Sequence, residues 1–334
     1  MKALPGKEFC AAERPRVVRL ADFSRPDVPA AKGSWTIEAN NRHGGYFTLY
    51  PHMNKTPPRL DEGEHAAHAL RFIGRFTWLR ATELGRLLYP GREHSRKYAE
   101  KNLRKLLELR LVVARRLPGR DAGTAYVLAS RGAQFLNDWN AGAVAYQYHS
   151  GTDWGSTADG IWSPPRSWRH DLLATGVLAC LREEHDWGVF PEPMLRHYVP
   201  SAEKHPDGLV VAGQRAIWLE VENARKSGRN IDQLVRALAR ASLRRPCSSF
   251  EAVLGHLVPV SLGMVAINAE ARDERGRRLN HLTRIESALR KQTFSPSTKL
   301  PLVVAWVTLK GVGVDAVRLE ERVFDADAGH FLSE

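Results

Sequence analysis

The segment from Lys204 to Ser227 reads KHPDGLVVAGQRAIWLEVENARKS. One apolar run follows Asp207, Gly213-Gln214 interrupts it, and a second apolar run ends on Glu220 and Glu222. The pattern predicts a β-hairpin with strands over 207–212 and 215–222. Residues two apart on a strand share a face, so Glu220 and Glu222 project together, and hairpin pairing returns Asp207 to the same end. Three carboxylates at one end of an apolar hairpin repel one another unless a hard cation lies among them. Oxygen-only ligation suits Mg²⁺ or Mn²⁺, either of which activates water and offsets charge on a phosphate oxygen. The same spacing also fits exposed strand-end acids paired with Arg215, Arg225 or Arg229, and on spacing alone both readings stand.

The flanking sequence supplies the rest of an α/β domain. Upstream, 170–184 reads as an amphipathic helix, and 189–198 as an edge or bent strand interrupted by Pro191 and Pro193. Downstream come a helix over 230–241, a strand over 258–268, a basic helix over 276–291, and strands over 300–309 and 315–324. This order predicts one αβ domain over 169–334.

Charge sets the N-terminal half apart. The 334-residue chain carries 49 Lys+Arg against 37 Asp+Glu, a net charge of +12. Between Leu70 and Arg131 stand 15 Lys/Arg against five acids, so most of the excess lies in under a fifth of the chain. Such clustering predicts a polyanionic partner, with a solvated helical face as the alternative. Apolar spacing predicts a helix near 64–74, a second helix ending before Pro90-Gly91, and a third over 96–110. The third turns Tyr98, Leu103, Leu106, Leu107 and Leu109 inward and Arg96, Lys97, Lys101, Arg104 and Lys105 outward. Two short strands follow, LVVARRL and TAYVLA, around a basic tip carrying Arg115, Arg116 and Arg120. Ser130 is the expected N-cap of a last helix. The order is that of a winged helix-turn-helix over 61–140. Its third helix would enter the major groove, and its wing would lie along phosphates. Winged helices also serve as protein–protein modules.

Residues 1–60, rich in Pro, Gly, Asn and Arg, read as an extended, partly disordered arm with one short strand over 46–50. Residues 141–168 read as a linker that packs through Trp154, Trp162 and Trp168. The longest apolar run, Leu300 to Leu309, is about half the length of a membrane-spanning helix, so no membrane insertion is expected. The first 25 residues contain no apolar core of a secretory signal. Cys10, Cys180 and Cys247 form neither a disulfide framework nor a zinc pattern, which suits a cytoplasmic protein.

Pro206-Asp207, followed thirteen residues later by a strand ending Glu220-Val221-Glu222, resembles the PD-(D/E)XK nuclease superfamily. The wider arrangement comprises a winged helix ending in Y-V-L-x-x-x-G (Tyr126 to Gly132), a helix opening at His170, then P-D-G and W-L-E-V-E. It looks like the plasmid replication-relaxation family and resembles MobC-type mobilisation relaxases, over roughly 64–241. The resemblance implies α/β plus α+β architecture: a winged helix followed by a restriction-endonuclease-like αβ domain. It implies Asp207 and Glu220 as the acids that bind Mg²⁺ or Mn²⁺, with the Val221 carbonyl as a further ligand. Glu222 stands where the superfamily usually has lysine and would assist the metal or water. Lys226 would then stabilise the developing charge, with Lys204 as a second candidate. Glu183 or Glu184 is the candidate auxiliary acid and Gln233 a candidate DNA contact, while His170 and His205 read as cap and bystander. The implied partner is double-stranded DNA, and the assembly admits a homodimer. The implied function is metal-dependent nicking or cleavage at a specific site in plasmid replication or mobilisation. The alternative is a non-catalytic plasmid replication or transcription regulator with a degenerate nuclease-like domain.

Overall fold

The computed structural model describes residues 35–40, 46–51, 62–139, 146–199, 204–213, 215–223, 229–243, 259–272 and 275–332. The chain is mixed α/β. Strands β1 (Trp35–Asn40) and β2 (Tyr46–Pro51) pair antiparallel, the second matching the strand expected there; the rest of 1–60 lies outside the described residues.

A helical unit follows. Helices α1 (Glu62–Phe76), α2 (Ala81–Leu88) and α3 (Ser95–Glu108) enclose Leu70, Ile73, Leu84, Leu87, Leu103 and Leu106, all essentially buried. Burying each such leucine or isoleucine stabilises the fold by about 1.5–3 kcal/mol. Strand β3 (Trp78–Leu79) joins β4 (Val112–Arg116) and β5 (Thr124–Leu128) in an antiparallel sheet ordered β3-β5-β4. Helix α4 (Ser130–Trp139) closes the unit. Ser130 is the first residue of α4 and its hydroxyl bonds Ser150, not a free helix N–H. Gly132 is required here by close approach: a Cβ would meet the Leu111 carbonyl oxygen at 2.1 Å.

The expected linker contains a small hairpin, β6 (Ser156–Ala158) and β7 (Ile161–Ser163). It packs through its tryptophans as anticipated. Trp154 lies against Trp78 at 4.8 Å and Trp162 at 5.4 Å between ring centroids, and Trp168 joins the same cluster.

The larger unit is a seven-stranded sheet flanked by helices. In chain order it contains α5 (Trp168–His185), β8 (Gly188–Pro191), α6 (Glu192–Tyr198), β9 (Gly208–Ala212) and β10 (Arg215–Glu222). Then come α7 (Arg229–Ser242), β11 (Val260–Asn268), α8 (His281–Leu289), β12 (Lys299–Lys310), β13 (Gly313–Asp325) and β14 (His330–Phe331). The strand order is β14-β13-β12-β11-β10-β9-β8, with β10, β11 and β12 parallel and every other pair antiparallel. The central strands are apolar on both faces because each face is covered. Ile217, Leu219 and Val221 join the core beside α5, while Ala216 and Trp218 join the core beside α7. The α5-side core also contains Leu84 and Leu87 of α2, so the helical unit and the sheet share one interior.

Two expected elements differ. Residues 189–198 divide into β8, an edge strand as foreseen, and α6; Pro193 sits in the first turn of α6, where a missing N–H costs nothing. The basic helix expected over 276–291 begins only at His281. Gly276 has φ +74°, and the Asn280 side chain accepts the Thr283 N–H at 3.1 Å as the true N-cap. No described helix is long and apolar enough to cross a membrane.

Candidate functional site

Asp207 stands one residue before β9 and ties that strand's start to β10. Its backbone N–H donates to the Leu219 carbonyl at 3.0 Å, and its Oδ2 accepts the Val221 N–H at 2.6 Å. The carboxylate thus continues the ladder where the β9 backbone leaves it. Its Oδ1 lies 3.1 Å from His170 Nε2, in the first turn of α5. The acid of the proline-aspartate motif therefore joins two strands and a helix start.

Glu220, two residues before the end of β10, is fully buried. Its Oε1 accepts the Trp218 indole N–H at 2.7 Å, from the residue two positions back on the same face. Its Oε2 accepts from the Lys204 ammonium at 2.8 Å. Lys204 also donates to the His205 carbonyl, and its side chain is 26% exposed, so the ion pair reaches solvent through this ammonium. Burial and the neighbouring Asp207 charge push the Glu220 carboxyl up to about 7, against the pull of Lys204 and Trp218. The bonding of buried polar groups here is the expected condition for keeping a carboxylate inside a sheet.

The meeting of three carboxylates is not formed. Glu222, also buried, lies with Oε2 4.0 Å from Nδ1 of the buried His281. Among the described residues no group of three His, Cys, Asp or Glu side chains is arranged to hold a metal ion. The remaining pair, Asp207 and Glu220, fits a hard divalent cation in kind: two carboxylates close enough that the charge of one raises the proton affinity of the other. Magnesium usually takes only one or two protein carboxylates and keeps waters in its other positions.

Lys226 lies outside the described residues, and so does Arg225. Glu183 is not at this site; its carboxylate binds Arg86 Nε at 3.0 Å, at the α2–α5 contact. Glu183 and Glu184 sit thirteen and fourteen residues beyond His170, at the far end of α5, about 20 Å along the helix. The acid that α5 does bring near is Asp171, beside His170, whose carboxyl is raised by burial and by the Glu192 and Asp207 charges. The Ser167 hydroxyl donates to it at 3.0 Å. Adjacent His170-Asp171 in a first helical turn is the sequence signal that could have found it. His205 Nε2 lies 2.7 Å from the Val199 carbonyl oxygen. Gln233 is half-buried in the second turn of α7.

The basic surface lies on the helical unit. Helix α3 buries Ala99, Leu103 and Leu106 and exposes Arg96, Lys97, Lys101 and Arg104, with Lys105 half-buried. Tyr98 and Leu109, expected inside, are 48% and 53% exposed, because the buried stripe is narrower than their spacing suggested. A groove of about 400 Å³ runs between α2, α3 and the β4–β5 tip, lined by Arg80, Arg96, Arg104 and Arg116 together with Glu100 and Asp121. Arg96 is held by Glu100 at 2.8 Å and Arg80 by Glu83 at 2.6 Å. Arg116 and Arg120 are exposed. Arg115 is turned away, donating to the Thr152 carbonyl with its guanidinium carbon 5.8 Å from the Trp162 ring centroid.

No family model, no curated protein and no solved structure matches this chain.

Proposed function

We propose that this chain belongs to the class of DNA-binding proteins that act on the phosphodiester backbone. Helices α1–α4 with strands β3–β5 would serve as a winged helix-turn-helix on duplex DNA, and α5 with the seven-stranded sheet as a restriction-endonuclease-like domain. More particularly, the chain would nick or cleave DNA at a specific site of a mobile element, in the manner of the plasmid replication-relaxation and MobC-type proteins it resembles.

The observation that carries this reading is the gathering of His170, Lys204, Asp207 and Glu220 at one end of the β9–β10 pair. Supporting it is the run α5, β8, α6, β9, β10, α7 and β11, in which β8, β9 and β10 pair antiparallel in turn and β11 lies parallel to β10. The superfamily lysine is replaced in sequence by Glu222, yet Lys204 supplies an ammonium beside Glu220. Asp207 and Glu220 would hold a magnesium or manganese ion, which when bound activates water and neutralises charge on a phosphate oxygen. Lys204, partly exposed, would pair with a non-bridging phosphate oxygen. His170, 36% exposed, would orient Asp207 and hold a proton at Nε2 for transfer.

Supercoiled plasmid carrying the cognate origin, incubated with Mg²⁺ or Mn²⁺, tests this proposal. Nicking is expected from the native chain and is expected to vanish in Asp207→Asn and Glu220→Gln. His170→Ala should slow nicking by about 100-fold with unchanged DNA affinity. Undiminished nicking by Glu220→Gln refutes the site.

A second reading has its own observation: Glu220 is wholly buried with both oxygens bonded, an arrangement that also suits a structural ion pair. Under it the chain is a non-catalytic plasmid replication or transcription regulator. DNA binding without cleavage, and no heat of Mn²⁺ binding in calorimetry, is its expected signature.

A further inference from the structure

Strand β13 has two unlike sides. Toward β12 it pairs along its whole length, from Gly313 opposite Lys310 to Asp325 opposite Lys299. On the other side β14 pairs only with Phe324 and Asp325. The opposite end is covered by Arg86 of α2, whose guanidinium donates to the carbonyls of Val314 and Asp315, each at 2.8 Å. Among the described residues no strand pairs with the outer side of β13 between Ala316 and Arg322. The midpoint of that window is Leu319.

The direction of the backbone groups follows from one bond. On the β14 side the Val323 carbonyl accepts the Leu332 N–H at 2.9 Å, so Val323 faces outward. In an antiparallel ladder both polar groups of a residue point the same way, and the direction alternates along the strand. Glu321, Leu319 and Val317 therefore also present their N–H and C=O outward. Such a row is a template for another strand.

Charge selects what that strand is. Arg318, Glu320 and Arg322 share one face, with side chains 71%, 23% and 31% exposed; within the chain Glu320 already accepts from Arg322 and Trp306, while the more exposed Arg318 lies 3.7 Å from it. We propose that a second copy of this chain pairs antiparallel with the β13 edge about a twofold axis at Leu319, joining the two seven-stranded sheets. Leu319 meets the second copy's Leu319, and Val317 meets the second copy's Glu321. Arg318 opposes Glu320 on both sides of the axis. Moving the axis to Arg318 sets that arginine against itself. Moving it to Glu320 sets two glutamates face to face and Arg318 against Arg322. Moving it to Glu321 runs the pairing into β14. The contact is isologous, as a closed dimer requires. A pairing this short is on the scale of a weak, concentration-dependent association.

Sedimentation equilibrium on the full chain from about 1 to 200 µM covers the micromolar concentrations at which a weak dimer forms. The expected mass rises from 37.5 kDa to twice that value. R318E and E320R each oppose like charges and are expected to be monomeric. An equimolar mixture of the two opposes unlike charges at both positions and should dimerise again. A native chain that stays monomeric, single variants that still dimerise, or a mixture that does not associate overturns the proposal. Should either variant fail to fold by circular dichroism, hydrogen exchange on the native chain decides. Amides of Val317, Leu319 and Glu321 should gain protection as concentration rises, and concentration-independent exchange there overturns it.

Discussion

Lys204 Nζ lies 2.8 Å from Glu220 Oε2, an ion pair in which the carboxylate is wholly buried and the ammonium is about a quarter exposed. The pair sets both the stability and the chemistry of the β9–β10 end of the sheet. Removing the cation while leaving the anion strands a charge in the interior, which costs more than the pair contributes. Lys204→Ala is therefore expected to destabilise the chain by about 1–3 kcal/mol, discounted for the partial exposure of the lysine. Lys204→Arg should recover most of that, as read from urea midpoints.

The pH dependence carries the opposite sign from that of an ordinary surface acid. Folding raises the Glu220 carboxyl from 4.5 to about 7, so the folded state holds more protons than the unfolded chain between those values. Stability is expected to fall as pH rises through that window, by roughly 1–3 kcal/mol from this group. Glu220→Gln should flatten the slope. Urea titrations at pH 5.0 and 7.5 on both proteins measure it, and equal slopes would remove Glu220 as its source.

For DNA, deleting one phosphate-binding cation should lower the steepness of the salt dependence by about 0.9 in log–log slope. Lys101→Ala and Arg104→Ala, both on the exposed face of α3, are expected to behave so across unrelated sequences. Arg115→Ala is expected to leave the slope unchanged, because that guanidinium is held at Thr152 and Trp162. Fluorescence anisotropy from 50 to 300 mM salt separates the three.

Gly132→Ala forces a methyl to 2.1 Å from the Leu111 carbonyl oxygen. Backbone must shift on one side or the other, and a loss of about 3 kcal/mol is expected. Thermal melting should show it without any change in the salt slope of DNA binding.

Cys180 is fully buried, and burial pushes its thiol up to about 12 despite Arg86 Nη1 at 2.7 Å. Its peptide should be alkylated at neutral pH at least about 100-fold more slowly in the native chain than in urea. Peptide mass spectrometry resolves it from Cys10 and Cys247.

Much of the secondary structure was legible. The hairpin of β9 and β10 follows from two apolar runs around a turn, and the second strand has the expected limits. The misread elements share a cause. Pro193 signals a broken strand or a first helical turn equally well, and only the packing of Met194 and Leu195 in the core chose the helix. In 276–291 the arginines read as helical, while the Asn280 side chain sets the helix start at His281. Tyr98 fits an apolar pattern yet lies outside it, edge-on to Tyr89 at 5.6 Å. At the candidate site the two acids were visible, because a buried strand rarely carries carboxylates. Their partners come from distant positions. His170, 37 positions from Asp207, reads in sequence as a cap, and Lys204, 16 from Glu220, reads as second to Lys226.

By itself the sequence determined the alternation of helices and strands, the concentration of positive charge on α3 and the β4–β5 tip, and the presence of acids in an apolar hairpin. These are properties of neighbours along the chain, set by side-chain periodicity and local charge. Tertiary structure alone decided which cation stands beside Glu220, that Glu222 turns to His281, and that Arg86 and β14 leave the middle of β13 uncovered. Those outcomes depend on which distant segments the sheet brings together, and the cost of burying a charge or a backbone polar group appears only once the interior has closed.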